Sequence, residues 1–191
     1  MEKNRLEAFS DGVLAIIITI MVLEIKVPHG TEWKILAPLL PLFFSYVLSF
    51  LYIGIYWGNH HHLLHTANKV NSSIMLANLH LLFWLSLVPF TTGWVGENHF
   101  AQNPIALYGI NLFMAAVAYL ILQKAIEKTY SGHHNLNKAM KRQSIKGISS
   151  QILYLLGIFL AFIMPFISFV IFFIVAIVWI IPAREIEKVS S

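Results

Sequence analysis

The chain contains no cysteine, which excludes disulfides and every thiolate-based metal or redox site. Charge is almost as scarce. Only 12% of the 191 residues are charged and 58% are hydrophobic, against roughly 25% and 45–50% in an ordinary soluble domain. A soluble fold of this length cannot enclose so much apolar surface, so the surplus must face lipid. Also missing are a G-x-S-x-G elbow, a glycine-rich phosphate loop and paired carboxylates at catalytic spacing. Their absence removes the usual marks of hydrolases and nucleotide-dependent enzymes, and we expect neither an enzyme nor a cofactor. The formal net charge of +4 and a pI near 9.3 could suggest nucleic acid, but the basic residues form no single stripe, so no nucleic-acid partner is expected.

What is present is a series of uncharged runs: Ile35–Asn68, Val70–Gly96, Asn98–Gln123 and Gly147–Ala183. A helix rises about 1.5 Å per residue, so about 20 residues cross a hydrocarbon layer of roughly 30 Å. The first three runs predict spans at about 36–58, 72–95 and 104–126. A shorter uncharged stretch, Gly12–Leu23, lies between Asp11 and Glu24. The sequence Leu23-Glu24-Ile25-Lys26-Val27 offers no small-x-small cleavage site, so this stretch predicts a retained first span at about 6–26 rather than a signal peptide. The last run has 37 residues, about 55 Å as one helix and too long for a single pass. Pro165 near its middle predicts a hairpin of two short helices at about 148–163 and 167–183.

Charge bias then sets the topology. With six spans, one side carries Lys3, Arg5, Lys69, Lys124, Lys128, Lys138, Lys141, Arg142, Lys146, Arg184 and Lys188, and the other only Lys26 and Lys34. Such a bias puts the cation-rich side in the cytoplasm. The expectation is an all-α membrane protein forming one six-span domain over 1–191, multi-pass in the cell inner membrane, in contact with lipid and with both termini cytoplasmic. Tyr130–Ser144, with His133, His134, Lys138, Lys141 and Arg142, predicts a polar loop touching anionic headgroups. Trp33, Trp94 and Trp179 fall near predicted span ends, as interfacial anchors do.

The first span carries the unusual chemistry. An ionisable residue at mid-bilayer costs about 2.5–3.5 kcal/mol and less near the end, so Asp11, about one turn inside, should face protein or water. Arg5 could offset it, directly or from a neighbouring subunit. At 100° per residue, Arg5, Gly12, Ile16, Thr19 and Leu23 share one face, while Asp11, Ala15, Ile18 and Val22 form a second stripe roughly 100° away.

Arg5-Leu6-Glu7-Ala8-Phe9-Ser10-Asp11 has the form R-x-x-x-F-S-D. With the continuation Gly12–Glu24 it resembles the opening helix of the transmembrane protein 175 family, the endolysosomal potassium channels and their bacterial relatives. Tyr56-Trp57-Gly58-Asn59-His60-His61-His62 is similar to that family's second-helix tryptophan–histidine motif, and Ser86-Leu87-Val88-Pro89-Phe90 to its third-helix ending. The resemblance runs from Arg5 to about Phe90. It implies a six-span subunit whose first helix lines a central cation pathway. Animal members carry two such repeats per chain and this chain one, which implies a homotetramer conducting monovalent cations, potassium above all.

Within such a tetramer, symmetry would turn Ile16, Thr19 and Leu23 into rings, two apolar ones flanking a hydroxyl. An apolar constriction can gate by dewetting. In similar proteins the positions of Ile16 and Leu23 narrow the pore and that of Thr19 aids potassium preference; Gly12 and Ile20 are further candidates for the lining. Without the resemblance, the same stripe reads as a packed or lipid-facing side. Phe9, Ser10 and Asp11 are expected to form a scaffold, with Asp11 accepting hydrogen bonds from Trp57, His61 or Asn78 and Arg5 alongside.

His60, His61, His62 and His65 invite a metal because His61 and His65 are one turn apart, but H-E-x-x-H is incomplete and no acid lies nearby in sequence as a third ligand, so no metal is expected. Thr91-Thr92-Gly93-Trp94-Val95-Gly96 has the threonine–glycine–aromatic order of a potassium filter. It lacks the re-entrant helix a filter needs, and a turn with glycines at positive φ is expected instead. Two other classes stay open: a proton-coupled secondary transporter using Asp11 and the second-helix histidines as relays, and a membrane hydrolase with a bound metal.

Overall fold

The computed structural model describes residues 2–67, 69–129 and 134–180. The final residues of the predicted 167–183 span, Arg184, Lys188 and His133 lie outside the described residues. All regular structure described is helical: α1 Lys3–Leu23, α2 Leu40–Thr66, α3 Ser72–Ser86, α4 Val88–Glu97, α5 Gln102–Glu127, α6 His134–Ala161 and α7 Pro165–Ile180, with a 3-10 turn at Trp33–Leu39 leading into α2. Five described stretches are long and apolar enough to cross a membrane: Lys3–Leu23, Trp33–Thr66, Ser72–Glu97, Gln102–Glu127 and Met140–Ala161. The apolar α7 is shorter, at 16 residues.

Pro89 explains the break between α3 and α4. It has no N–H to donate and its ring crowds the carbonyl of Leu85, so the ladder lapses at Leu87 and resumes with Thr91 N–H donating to Leu87 O at 3.1 Å. Pro165 starts α7 after a short connection from Ala161, where a missing N–H costs nothing.

The chain is organised around α5, which packs against α2, α3, α4, α6 and α7. In lipid, apolar side chains gain little by moving from tails to protein, so close approach and hydrogen bonds do the binding. Small residues provide the approach. A Cβ on Gly157 would sit 2.5 Å from Phe172 Cε1, and one on Gly109 2.5 Å from Phe172 Cζ, so the two glycines make the slot into which α7 inserts its ring. Polar ties cross the same region: Tyr52 OH donates to Phe172 O at 2.6 Å, and Ser49 Oγ lies 2.6 Å from Thr92 Oγ1 and 2.9 Å from Tyr108 OH.

Three expectations need correcting. The predicted polar loop at Tyr130–Ser144 is helical from His134 onward. Its cause is a buried seam with α5: Gln123 Nε2 donates to Met140 O at 3.0 Å and Ser144 Oγ at 2.8 Å, and Gln143 Nε2 donates to Tyr119 OH at 2.7 Å. For the same reason the predicted helix at 148–163 is only the apolar part of a 28-residue helix. Thr91–Gly96 is not a turn but most of α4. Its glycines are helical and serve proximity: a Cβ on Gly96 would lie 2.5 Å from Leu42 Cα on α2. The left-handed turn falls just beyond, on His99 (φ 49) and Phe100 (φ 60).

Candidate functional site

Helix α1 is lightly embedded, to the same degree as the stretches Trp33–Thr66 and Met140–Ala161. Of its most apolar stretch 28% is buried, against 56% in α5. Its buried stripe is Leu6, Ser10, Leu14, Ile17 and Met21, a spacing of three and four that gives one face. Arg5, Gly12, Ile16, Thr19 and Leu23 are all exposed, on a side centred roughly 150° away at 100° per residue. The exposure is large where it matters, 58% for Ile16 and 76% for Leu23. Ile20 is exposed between the two faces. Thr19 Oγ1 donates to Ile16 O at 2.8 Å, so its proton is directed back into the helix and its lone pairs remain outward.

The buried stripe is held by a chain of hydrogen bonds through three helices. Ser10 Oγ donates to Leu6 O at 2.8 Å, Asn78 Nδ2 on α3 donates to Ser10 Oγ at 2.9 Å, and Asn78 Oδ1 lies 2.6 Å from His60 Nε2 on α2. Because Asn78 spends its amide on Ser10, its oxygen faces His60 and the imidazole donates through Nε2. His60 Nδ1, the other nitrogen, has no hydrogen-bond partner among the described residues. Ser10, Asn78 and His60 are each at most 1% exposed.

A second tie lies beside the first. Trp57 Nε1 donates to Asp11 Oδ1 at 3.0 Å, joining the flank of α1 to α2. A third lies one turn earlier, where Glu7 Oε1 is 2.6 Å from His61 Nδ1 and 3.8 Å from His65 Nε2. Lys3 Nζ donates to His65 O at 2.8 Å.

Of the residues expected in the scaffold, Ser10, Asp11, Trp57 and Asn78 make contacts between helices. The pairing differs in detail: Asn78 bonds Ser10 rather than Asp11, and His61 meets Glu7. Arg5 and Phe9 are exposed, and neither has a side-chain hydrogen bond or ion pair among the described residues. Two residues that join these helices, His60 and Glu7, were not among those the sequence assigned to the scaffold. His60 lies at four-residue spacing from Tyr52 and Tyr56, both buried, and that stripe was the available signal. Glu7 had no local signal at all.

Between α1 and α4 runs an open groove of about 550 Å³, lined by Ile16, Ile17, Ile20, Phe90 and, at the end where α1 stops, Glu24 and Glu97. Glu97 is paired with Lys26 at 3.6 Å and Glu32 with Lys34 at 2.5 Å. Glu24 has no ion-pair partner among the described residues and lies over Gly93, where a Cβ would be 3.5 Å from its Oε2.

Comparison with known proteins bears on this arrangement. Residues 5–89 match the family model described as endosomal/lysosomal potassium channel TMEM175. A potassium channel of Chryseobacterium sp. (strain P1-3) is 55% identical over 98% of this chain and 97% of its own. A potassium channel of Streptomyces collinus is 36% identical over 69% of this chain and 67% of its own. Among solved structures, a lysosomal potassium-selective channel TMEM175 homolog from Chamaesiphon minutus superposes with a TM-score of 0.82 at 28% identity, over 96% of this chain and 98% of that one.

Proposed function

The chain belongs to the TMEM175 family of potassium channels, as a multi-pass membrane protein, and from that premise we propose that it passively conducts potassium in preference to sodium across a bacterial inner membrane. Four identical six-span subunits surround the pathway with both termini cytoplasmic, and α1 lines it. Conduction uses no cofactor, only the permeant ion. The observation that carries this reading is the two-sided character of α1. Its inner side is fixed to α2 and α3 by buried hydrogen bonds, while Gly12, Ile16, Thr19 and Leu23 look away from the subunit.

On a four-fold axis the exposed side becomes the lining. Ile16 and Leu23 form apolar rings that exclude water when narrow, and Thr19 between them presents oxygen lone pairs to a partly dehydrated ion. At the outer end of the pathway, Glu24, which has no lysine partner among the described residues, raises the local cation concentration.

The same geometry favours a channel over a proton-coupled carrier. Asp11 accepts from Trp57, whose indole can donate but not relay a proton. The chain from His60 ends in the Leu6 carbonyl without reaching Asp11. The test is reconstitution in liposomes under an imposed potassium gradient and then a sodium gradient. Flux larger for potassium and not saturating with a second solute supports the channel; obligatory coupling to protons contradicts it.

A further inference from the structure

We propose that Glu7, His61 and His65 form a binding site for a divalent transition metal of the zinc class, joining the start of α1 to the end of α2. The three ligand atoms, Glu7 Oε1, His61 Nδ1 and His65 Nε2, lie within 4.8 Å of one another. Tetrahedral zinc with bonds of about 2.0–2.2 Å holds neighbouring ligands roughly 3.4 Å apart. The carboxylate-to-imidazole distances of 2.6 and 3.8 Å bracket that separation. Imidazole and carboxylate together are the donor set borderline-soft divalent ions take.

Three features point to a cation rather than a simple hydrogen bond. Glu7 Oε1 is shielded from solvent and accepts no hydrogen bond among the described residues, although His61 Nδ1 lies 2.6 Å away. A shielded carboxylate oxygen without a donor is costly, and a bound cation removes that cost. Next, the two histidines are one turn apart on a continuous helix, so the backbone sets their bite before any ion arrives. Finally, the His65 side chain is 45% exposed, which leaves an entry path and a fourth position for water. Lys3 donates to the carbonyl of His65 at 2.8 Å and makes no ion pair with Glu7 among the described residues.

The ligands come from both helices, so the ion clamps α1 to α2 beside the Asp11–Trp57 bond. The sequence alone argued against a metal because the third ligand is remote along the chain; folding supplies it. The consequence for α1 as a pore helix rests on the channel reading, whereas binding itself does not.

The test uses the full-length protein in detergent, stripped with chelator and titrated with zinc by calorimetry, with X-ray absorption at the zinc edge. We expect saturable binding at one ion per subunit, nitrogen and oxygen ligands at about 2.0–2.2 Å, and a rise in melting temperature. Loss of an outer-shell partner alone costs 10- to 100-fold in affinity, so Glu7→Gln and His65→Ala should each weaken binding at least about tenfold and abolish the thermal shift, while His62→Ala does neither. Circular dichroism of both variants in the absence of zinc checks that they fold. No saturable binding by the wild-type protein, or wild-type affinity in both variants, overturns the site. Potassium flux without zinc binding removes the site alone; zinc binding without potassium flux removes the channel reading and leaves the site.

Discussion

Replacing Asn78 with leucine keeps its branched heavy-atom framework, at a larger volume, and deletes the hinge of the α1–α3–α2 chain. His60 Nε2 then loses its acceptor in a site only 1% exposed, where its Nδ1 already has no partner. An orphaned buried donor costs about 1–3 kcal/mol. Ser10 keeps its bond to Leu6 O at 2.8 Å, so it loses only an incoming donor. Measured side-chain hydrogen bonds in membrane proteins average about 0.6 kcal/mol and reach about 1.7, which places the expected loss at about 1–2 kcal/mol. His60→Leu in the same background removes the orphan, and replacing both partners by apolar groups is nearly neutral. The double variant should therefore be more stable than the sum of the single losses by roughly 0.5–2 kcal/mol. Reversible unfolding in mixed micelles of increasing SDS fraction, for the four proteins of the cycle, gives these energies. Additivity within about 0.5 kcal/mol would show that His60 and Asn78 do not act as a unit, and the account of how α1 is held would fail.

Other outcomes follow from single contacts. Asp11→Asn keeps an acceptor for the Trp57 indole and should preserve the assembly, whereas Asp11→Ala and Trp57→Phe should each weaken it, by about 1.5–3 kcal/mol at most for a bond to a charged group; light scattering after size-exclusion chromatography measures the subunit number. Gly157→Ala puts a methyl 2.5 Å from Phe172 and should cost about 1–3 kcal/mol by overpacking, read as a lower melting temperature that Phe172→Leu in the same chain partly restores. Glu24→Gln should lower single-channel conductance at about 10 mM salt and leave it nearly unchanged at about 1 M, where screening falls to about 3 Å; equal effects at both would exclude a surface-charge role.

The exposed side of α1 was legible in the sequence because a period of 3.6 residues gathers Gly12, Ile16, Thr19 and Leu23 without knowing any neighbour, whereas the second stripe drawn there, Asp11, Ala15, Ile18 and Val22, only flanks the side that the structure buries, Leu6, Ser10, Leu14, Ile17 and Met21. The partners of those faces were less so. Asp11 with Trp57 follows from two polar groups facing each other in lipid, but the choice of Ser10 over Asp11 by Asn78 depends on where α3 crosses α1. His60 was hidden among adjacent histidines, only one of which turns toward α3, and Glu7 is brought to His61 by tertiary packing alone. Gly93 and Gly96 resembled turn residues because a sequence cannot show that Leu42 will press against the helix. The helical start of α6 was missed because its polar residues read as solvated, while Gln123 and Gln143 spend their amides on the α5–α6 seam.

The absence of native cysteine allows a direct test of α1 as the pore wall. Single cysteines at Ile16, Thr19 and Leu23 are challenged with a small cationic, membrane-impermeant thiol reagent during potassium flux in liposomes, with Ile121→Cys on the exposed side of α5 as the comparison. The account expects modification and block at Leu23 and Thr19, protection by high potassium, and no effect at Ile121. Cysteines at 16, 19 and 23 that react only with lipid-soluble reagents, while flux continues, would contradict it.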